Sequence, residues 1–193
     1  DLRRMNRIVE INEKNMYDKP QVVADRRRFT PTKIAGIEEN WRQELESLRA
    51  VDEGVAALCA EAVGVMRRLL ADTVEYTKQR RQFDAPIASN QVLQHRMVDM
   101  YMALEQSISM TYMATLKLDR PAPERKRAVS AAKVQIGKAA KFVGQSAIQL
   151  HGGMGMTNEL AVSHYFKRAT MIESELGSVD HHAARIEQCD AAA

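Results

Sequence analysis

Turn chemistry is scarce in this sequence. Nine glycines and five prolines in 193 residues leave too few turn signals for a β-sandwich or barrel. Aromatic residues are only 5%. Cys59 and Cys189 are the two cysteines, too few for a disulfide framework or a zinc site, and that usage fits a reducing cytoplasm. No apolar run approaches the roughly 20 residues of a membrane-spanning helix. No charged-then-apolar leader with a small-residue cleavage site appears, which argues against secretion. A formal charge of +3 is too small to imply nucleic-acid binding. G-x-G-x-x-G and P-loop patterns are also lacking, so no nucleotide-binding α/β motif is legible.

What is present favours helices. Apolar residues make up 45% and charged residues 27%, enough to bury a sizeable core. Ala, Leu, Met, Glu, Gln, Lys and Arg dominate, and these are the better helix formers. The expectation is an all-α chain. Residues 1–50 read as an N-terminal arm with a short helix near 2–14, punctuated by Pro20, Pro31 and Gly36 and rich in arginine. From Ile37 a helical face forms through Trp41, Leu45 and Leu48. Residues 51–193 read as the helical domain.

Within that domain the first helix is expected over about 52–78, with Asp52 as its N-cap. Val55, Leu58, Ala62, Val65, Met66, Leu69 and Thr73 form its apolar stripe. Residues 80–90, with Pro86, read as a loop. Further helices are expected over about 90–118, 124–150, 157–172 and 179–190. The helix over 124–150 is rich in alanine, which permits close helix packing. Long helices with short connections imply an antiparallel four-helix-type bundle without a sheet.

Two segments carry candidate chemistry. Tyr76-Thr-Lys-Gln-Arg80-Arg81-Gln82-Phe83 puts an arginine between two long helices. It reads either as a solvated basic loop anchored by a buried Phe83 or as a presented cation. Gln149-Leu-His151-Gly152-Gly153-Met-Gly155-Met-Thr157 ends a helix in glycines. Glycine allows a backbone to approach a ligand closely, and Thr157 is placed to cap the next helix. A glycine-capped helix end with nothing bound fits the spacing equally well. His181-His182 lacks a third ligand at metal spacing, so no metal is expected. Cys59 falls on an apolar face and reads as packing. Glu173 and Glu175 precede Gly177 at a helix boundary, where a carboxylate can be a base or a solvated pair.

Taken in order, the motifs resemble a known family. They run Tyr76-x3-Arg80-x2-Phe83, then Ile87-x3-Gln91-x2-Gln94-His95, then Asp99-Met100, then Ala132-Lys133. The last is Ala147-Ile148-Gln149-x-His151-Gly152-Gly153-x-Gly155-x-Thr157. This resembles the C-terminal helical domain of the FAD-dependent acyl-CoA dehydrogenase family over about residues 51–188. Leu93-Gln94-His95 and His164-Tyr165-Phe166-Lys167-Arg168 look closest to small or beta-type subunits of bacterial heteromeric enzymes acting on dicarboxylic or steroid side-chain thioesters.

The resemblance implies an oxidoreductase that removes hydrogens from the α and β carbons of an acyl-CoA. It implies FAD shared at a subunit interface, with Arg80 and Gln91 touching it. Gln149, Gly152 and Gly153 would reach the FAD of a neighbouring subunit. It further implies a homo- or hetero-oligomer with a related acyl-CoA dehydrogenase subunit, with neither a nucleic acid nor a membrane span.

The departures from the family pattern are specific. The usual base glutamate falls on Leu176, before Gly177-Ser178, with Glu175 one residue early. The alternative base position falls on Gly54, with Glu53 one residue early. A substrate-binding arginine position is Val55, and the glycine after the loop phenylalanine is Asp84. Residues 1–50 do not resemble the two domains that the family places before the bundle and are too short for both. That suits a fragment or a truncated relative, and a bundle alone is expected to bind FAD poorly. The expectation is therefore a partner or FAD-supporting subunit with a degenerate catalytic site, with Glu175 as the candidate base if any residue serves. The alternative is a non-catalytic helical assembly module.

Overall fold

A computed structural model describes residues 49–191. The expected N-terminal arm, its short helix near 2–14 and the face from Ile37 to Leu48 lie outside the described residues. Five α-helices follow in order: α1 Arg49–Gln79, α2 Gln91–Leu116, α3 Ala122–His151, α4 Ala161–Ser174 and α5 Val179–Ala191. Two short 3₁₀ segments, Ile87–Ser89 and Gly152–Met156, lie before α2 and after α3.

Helix α3 is the central element and packs against α1, α2, α4 and α5. Its buried Val129, Ala132, Ile136, Ala140, Val143 and Ala147 recur at helical spacing and form one face. From α1 the residues Val55, Cys59, Ala62, Met66 and Leu69 meet that face, and Met100 and Leu104 of α2 join the same core. Small residues set how close the helices come. A Cβ on Gly144 would lie 2.9 Å from Phe166, and one on Gly137 would lie 2.8 Å from Val179. A larger residue at either position would force Phe166 or Val179 to move.

The sequence expectation of an all-α bundle holds, with local corrections. The loop over 80–90 contains a minimal antiparallel hairpin, β1 Arg81–Gln82 with β2 Ala85–Pro86. Its turn residues Phe83 and Asp84 have φ of 52° and 61°, as a tight hairpin requires. The expected buried Phe83 is instead 99% exposed, because the turn projects it away from the bundle. Helix α1 begins before Asp52, so Asp52 is not its N-cap. Its carboxylate is fully buried and accepts from Arg125 Nε at 2.8 Å and Arg185 Nη2 at 2.7 Å. Two guanidiniums offer this carboxylate more than one backbone N–H could. Thr157 does not cap the next helix either. Its hydroxyl donates back to the Met154 carbonyl at 2.9 Å, and α4 starts only at Ala161. The bundle carries a second buried polar set next to Asp52. Ser130 donates to His182 Nδ1 at 3.2 Å, while His182 Nε2 donates to the Leu176 carbonyl at 3.0 Å.

Candidate functional site

The end of α1, the hairpin and the end of α3 enclose a depression of about 430 Å³. Arg80, Gln149, Gly152 and Gly153 all line it. The structure thus joins two sequence motifs that lie some 70 residues apart in the chain. The joint is built on Tyr76 and His151. Their rings stack with centroids 4.3 Å apart, and the Tyr76 hydroxyl donates to the His151 carbonyl at 3.3 Å. The buried His151 ring donates from Nδ1 to the Ala147 carbonyl at 2.8 Å. That leaves its Nε2 unprotonated in the neutral ring.

Gly152 has φ 60° and ψ −141°, a backbone region that side chains other than hydrogen exclude. A Cβ on Gly153 would meet nothing within 4 Å, so the turn leaves open space above its backbone. Arg80 forms no ion pair with a carboxylate among the described residues. A guanidinium can pair with an anion in two parallel hydrogen bonds, and an open glycine backbone adds N–H donors. Gln82, Ile87, Leu150 and Met154 also line the depression. Sequence reasoning gave these no role, nor Tyr76 and His151, although Tyr76 and His151 stand inside the two motifs.

Gln91 and Glu175 do not line this depression. Gln91 is the exposed first residue of α2. Glu175 lies past α4, where Arg168 holds it: Nη1 donates to Glu175 Oε1 at 2.7 Å, and Nη2 to Oε2 at 3.2 Å. The same guanidinium donates to Glu61 at 2.5 and 2.8 Å, which lowers the Glu61 carboxyl from its ordinary range. The buried Lys133 fixes the backbone of this turn, donating to the carbonyls of Ile172, Glu173 and Glu175. Burial pushes the Lys133 amine down, and three carbonyl acceptors at the end of α4 offset the cost.

Leu176 follows with φ 53°, and its side chain folds over α1 at Gly54. A Cβ on Gly54 would lie 3.0 Å from Leu176 Cδ1. Gly54 and Arg80 are 26 positions apart along α1 and its end, about 39 Å at 1.5 Å per residue. The Gly54–Leu176 contact and the Arg80 depression therefore occupy opposite ends of the bundle. No helix among the described residues is long and apolar enough to cross a membrane. Among those residues no three His, Cys, Asp or Glu side chains are grouped to hold a metal.

A helical bundle with a glycine turn and a motif arginine sharing one depression defines the class. The profile of the family described as "Acyl-CoA dehydrogenase, C-terminal domain" matches residues 47–188, and the chain belongs to that family. It is 36% identical over 153 residues to acyl-CoA dehydrogenase IpdE2 of Mycobacterium tuberculosis, covering 74% of this chain and 46% of that protein. Among solved structures it resembles the ChsE4-ChsE5 complex from Mycobacterium tuberculosis. That likeness has a TM-score of 0.69 and 28% identity over 74% of this chain and 39% of that one. It also resembles PigA with FAD and proline, at a TM-score of 0.67 and 30% identity over 73% of this chain and 37% of that one. The chain spans about a third to a half of the length of the curated relatives it matches.

Proposed function

We propose that this chain is a component of a flavin-dependent acyl-CoA dehydrogenase, acting as a partner or FAD-supporting subunit whose own acid–base position is degenerate. The observation that carries the reading is the contrast between the two ends of α1. At one end Arg80, Gln149, Gly152 and Gly153 line one depression, which this reading gives to a phosphate-bearing cofactor. At the other, Gly54 and Leu176 stand in contact with no carboxylate between them.

The residues of the depression suit FAD. Arg80 would meet the pyrophosphate charge, Gly152 and Gly153 would let the cofactor approach the backbone, and Gln149 would supply an amide. Gln91 lies outside the depression and would touch the cofactor only from the α2 end. When bound, FAD supplies the acceptor for the hydride leaving the substrate β-carbon. A single dinucleotide does not reach across about 39 Å, so the depression serves a flavin whose reacting ring lies against another subunit. This supports an oligomer with a related acyl-CoA dehydrogenase subunit, and the reading has that oligomer act on an acyl-CoA in the cytoplasm. PigA is known with FAD, and ChsE4 and ChsE5 form a complex.

The test is to purify the tagged chain from its native cells with whatever subunit accompanies it and to record the flavin spectrum. The expected result is a yellow complex. Arg80→Ala and Gly152→Ala are each expected to reduce bound flavin tenfold or more with the helical signal intact. A colourless complex that stays colourless with added FAD would instead support the assembly-module reading.

A further inference from the structure

The His151 imidazole is held from two sides beside the Arg80 depression. One face lies on Tyr76, with the ring planes 26° from parallel. One edge is tied down by the bond from Nδ1 to the Ala147 carbonyl. A carbonyl only accepts, so Nδ1 carries the proton, and Nε2 of the neutral ring is an acceptor with nothing to donate. Tyr76 is held in turn through its hydroxyl bond to the His151 carbonyl. The direction of Nε2 is therefore fixed.

His151 is only 5% exposed, yet Nε2 has no hydrogen-bond partner among the described residues. None of their buried side-chain nitrogen or oxygen atoms goes without a partner. Nε2 is thus open, and the depression that His151 lines is where it opens.

The rest of the lining offers no equivalent. Arg80 only donates, and the amides of Gln82 and Gln149 can turn either way. The Tyr76 hydroxyl is already engaged. Ile87 and Leu150 are apolar, the Met154 thioether is a weak acceptor, and no carboxylate lines the depression. A donor-only guanidinium and an acceptor-only nitrogen ask two things of one ligand: an anionic group and a hydroxyl. A phosphate ester of a polyol carries both. A phosphate ester of a plain alcohol carries only the first. A site built to bond a hydroxyl rejects the analogue that lacks it.

We propose that His151 is a specificity-determining residue of this depression. Its Nε2 accepts from a ligand hydroxyl and selects phosphate esters of polyols, the sugar or sugar-alcohol phosphate of a dinucleotide among them. Tyr76 is the positioning residue that aims the ring. The proposal rests on the reading of the depression as a cofactor site and names the part of the cofactor that His151 meets.

The test uses two five-carbon phosphate monoesters, ribitol 5-phosphate and n-pentyl phosphate, with FAD as the reference ligand. It is made on the purified complex, with this chain labelled at histidine. The nitrogen resonance spectrum should show an imidazole protonated at Nδ1 that is lost in His151→Phe. Its Nε2 signal should move with ribitol 5-phosphate and stay with n-pentyl phosphate. His151→Phe keeps a ring against Tyr76. In it the affinity ratio of ribitol 5-phosphate to n-pentyl phosphate should fall about tenfold, as for one neutral hydrogen bond. Binding of n-pentyl phosphate itself should not change. Tyr76→Leu keeps Nε2 but leaves the ring unsupported, and it should lower the same ratio. An Nε2 signal that stays put with ribitol 5-phosphate bound would overturn the role of His151. So would an unchanged ratio in His151→Phe while FAD still binds, and either result leaves the cofactor reading standing. Failure of all three ligands to bind, FAD included, would overturn the cofactor reading and this proposal with it.

Discussion

Leu176 Cδ1 lies 3.0 Å from the point where a Cβ on Gly54 would stand. These two residues occupy the two positions that the family resemblance offers for a catalytic base. They are far apart in sequence, yet the turn after α4 and the first turns of α1 bring them into contact. The same place in the fold can thus be served from either element, and here neither element sends a carboxylate. Leu176 fills the space instead. Its left-handed backbone, at φ 53°, is held from below by the His182 and Lys133 hydrogen bonds to this turn.

The first prediction concerns Glu175, one residue early for the base position. Both its oxygens are engaged by Arg168, so it is not aimed at Gly54. Glu175→Gln should leave any turnover of the purified complex well short of the roughly 100-fold loss expected for removal of a general base. The Arg168–Glu175 pair is more than a third exposed on both sides, so stability should change little. The chain by itself, supplied with FAD, an artificial acceptor and a panel of acyl-CoAs, should show no turnover. A 100-fold loss in the variant would make Glu175 the catalytic carboxylate.

A second prediction concerns Asp52. It is the sole carboxylate among the described residues that pairs with the buried Arg125 and Arg185. Asp52→Ala would strand two buried guanidiniums. Breaking a buried pair from one side costs about 3–5 kcal/mol, or a fall in Tm of roughly 10 °C for a domain of this size. A thermal melt that moves by less than a few degrees would show that water reaches and solvates the cluster.

The helices and their faces were legible because a 3.6-residue period depends on local spacing alone. The stripe from Val55 to Leu69 is buried as read except for the half-buried Leu58, and five expected helices have five counterparts. The misread points depend on where folding puts a side chain, which a local period does not give. Asp52 looks like an N-cap until Arg125 and Arg185 arrive from α3 and α5. Phe83 looks like an anchor until the hairpin turns it outward. Glu175 looks free until Arg168 takes it. For the site, the resemblance assigned Arg80 to one FAD and the Gln149–Gly153 turn to a neighbour's; the fold brings both to one depression. Tyr76 and His151 were visible in the two motifs, but only folding reveals that their rings stack. Gln91, at the start of α2, joins neither group.

The third prediction concerns the two thiols. Cys59 is fully buried in the core, and burial pushes its thiol up to about 11. Cys189 is half-buried on α5. Thiolate is the reactive form, so an aromatic disulfide reagent at pH 8 should modify one thiol rapidly in the native protein and two after denaturation. Rapid modification of both in the native state would mean that α1 opens from the core on the timescale of the assay.

The last prediction is a pH dependence set by His182. Its ring is buried, donates from Nε2 to the Leu176 carbonyl and accepts at Nδ1 from Ser130. Acceptance at Nδ1 requires the neutral ring, whereas the Nε2 donation persists in the protonated one. Burial is the main cause that pushes His182 down to about 4, with His181, Arg185 and Lys133 adding positive charge nearby. The unfolded chain takes up this proton near pH 6.5, whereas the folded chain resists until about pH 4. The neutral form therefore contributes its full stability above about pH 6.5, and that contribution declines as pH falls toward 4. The difference corresponds to about 3 kcal/mol. Denaturant melts of the wild type at pH 7 and pH 4.5 should show a loss of a few kcal/mol. His182→Gln should lose much less between the same two pH values, because its amide can still donate to the Leu176 carbonyl and does not titrate. Equal acid losses in both proteins would place the sensitive group elsewhere and leave the turn at Leu176 without a proton-sensitive support.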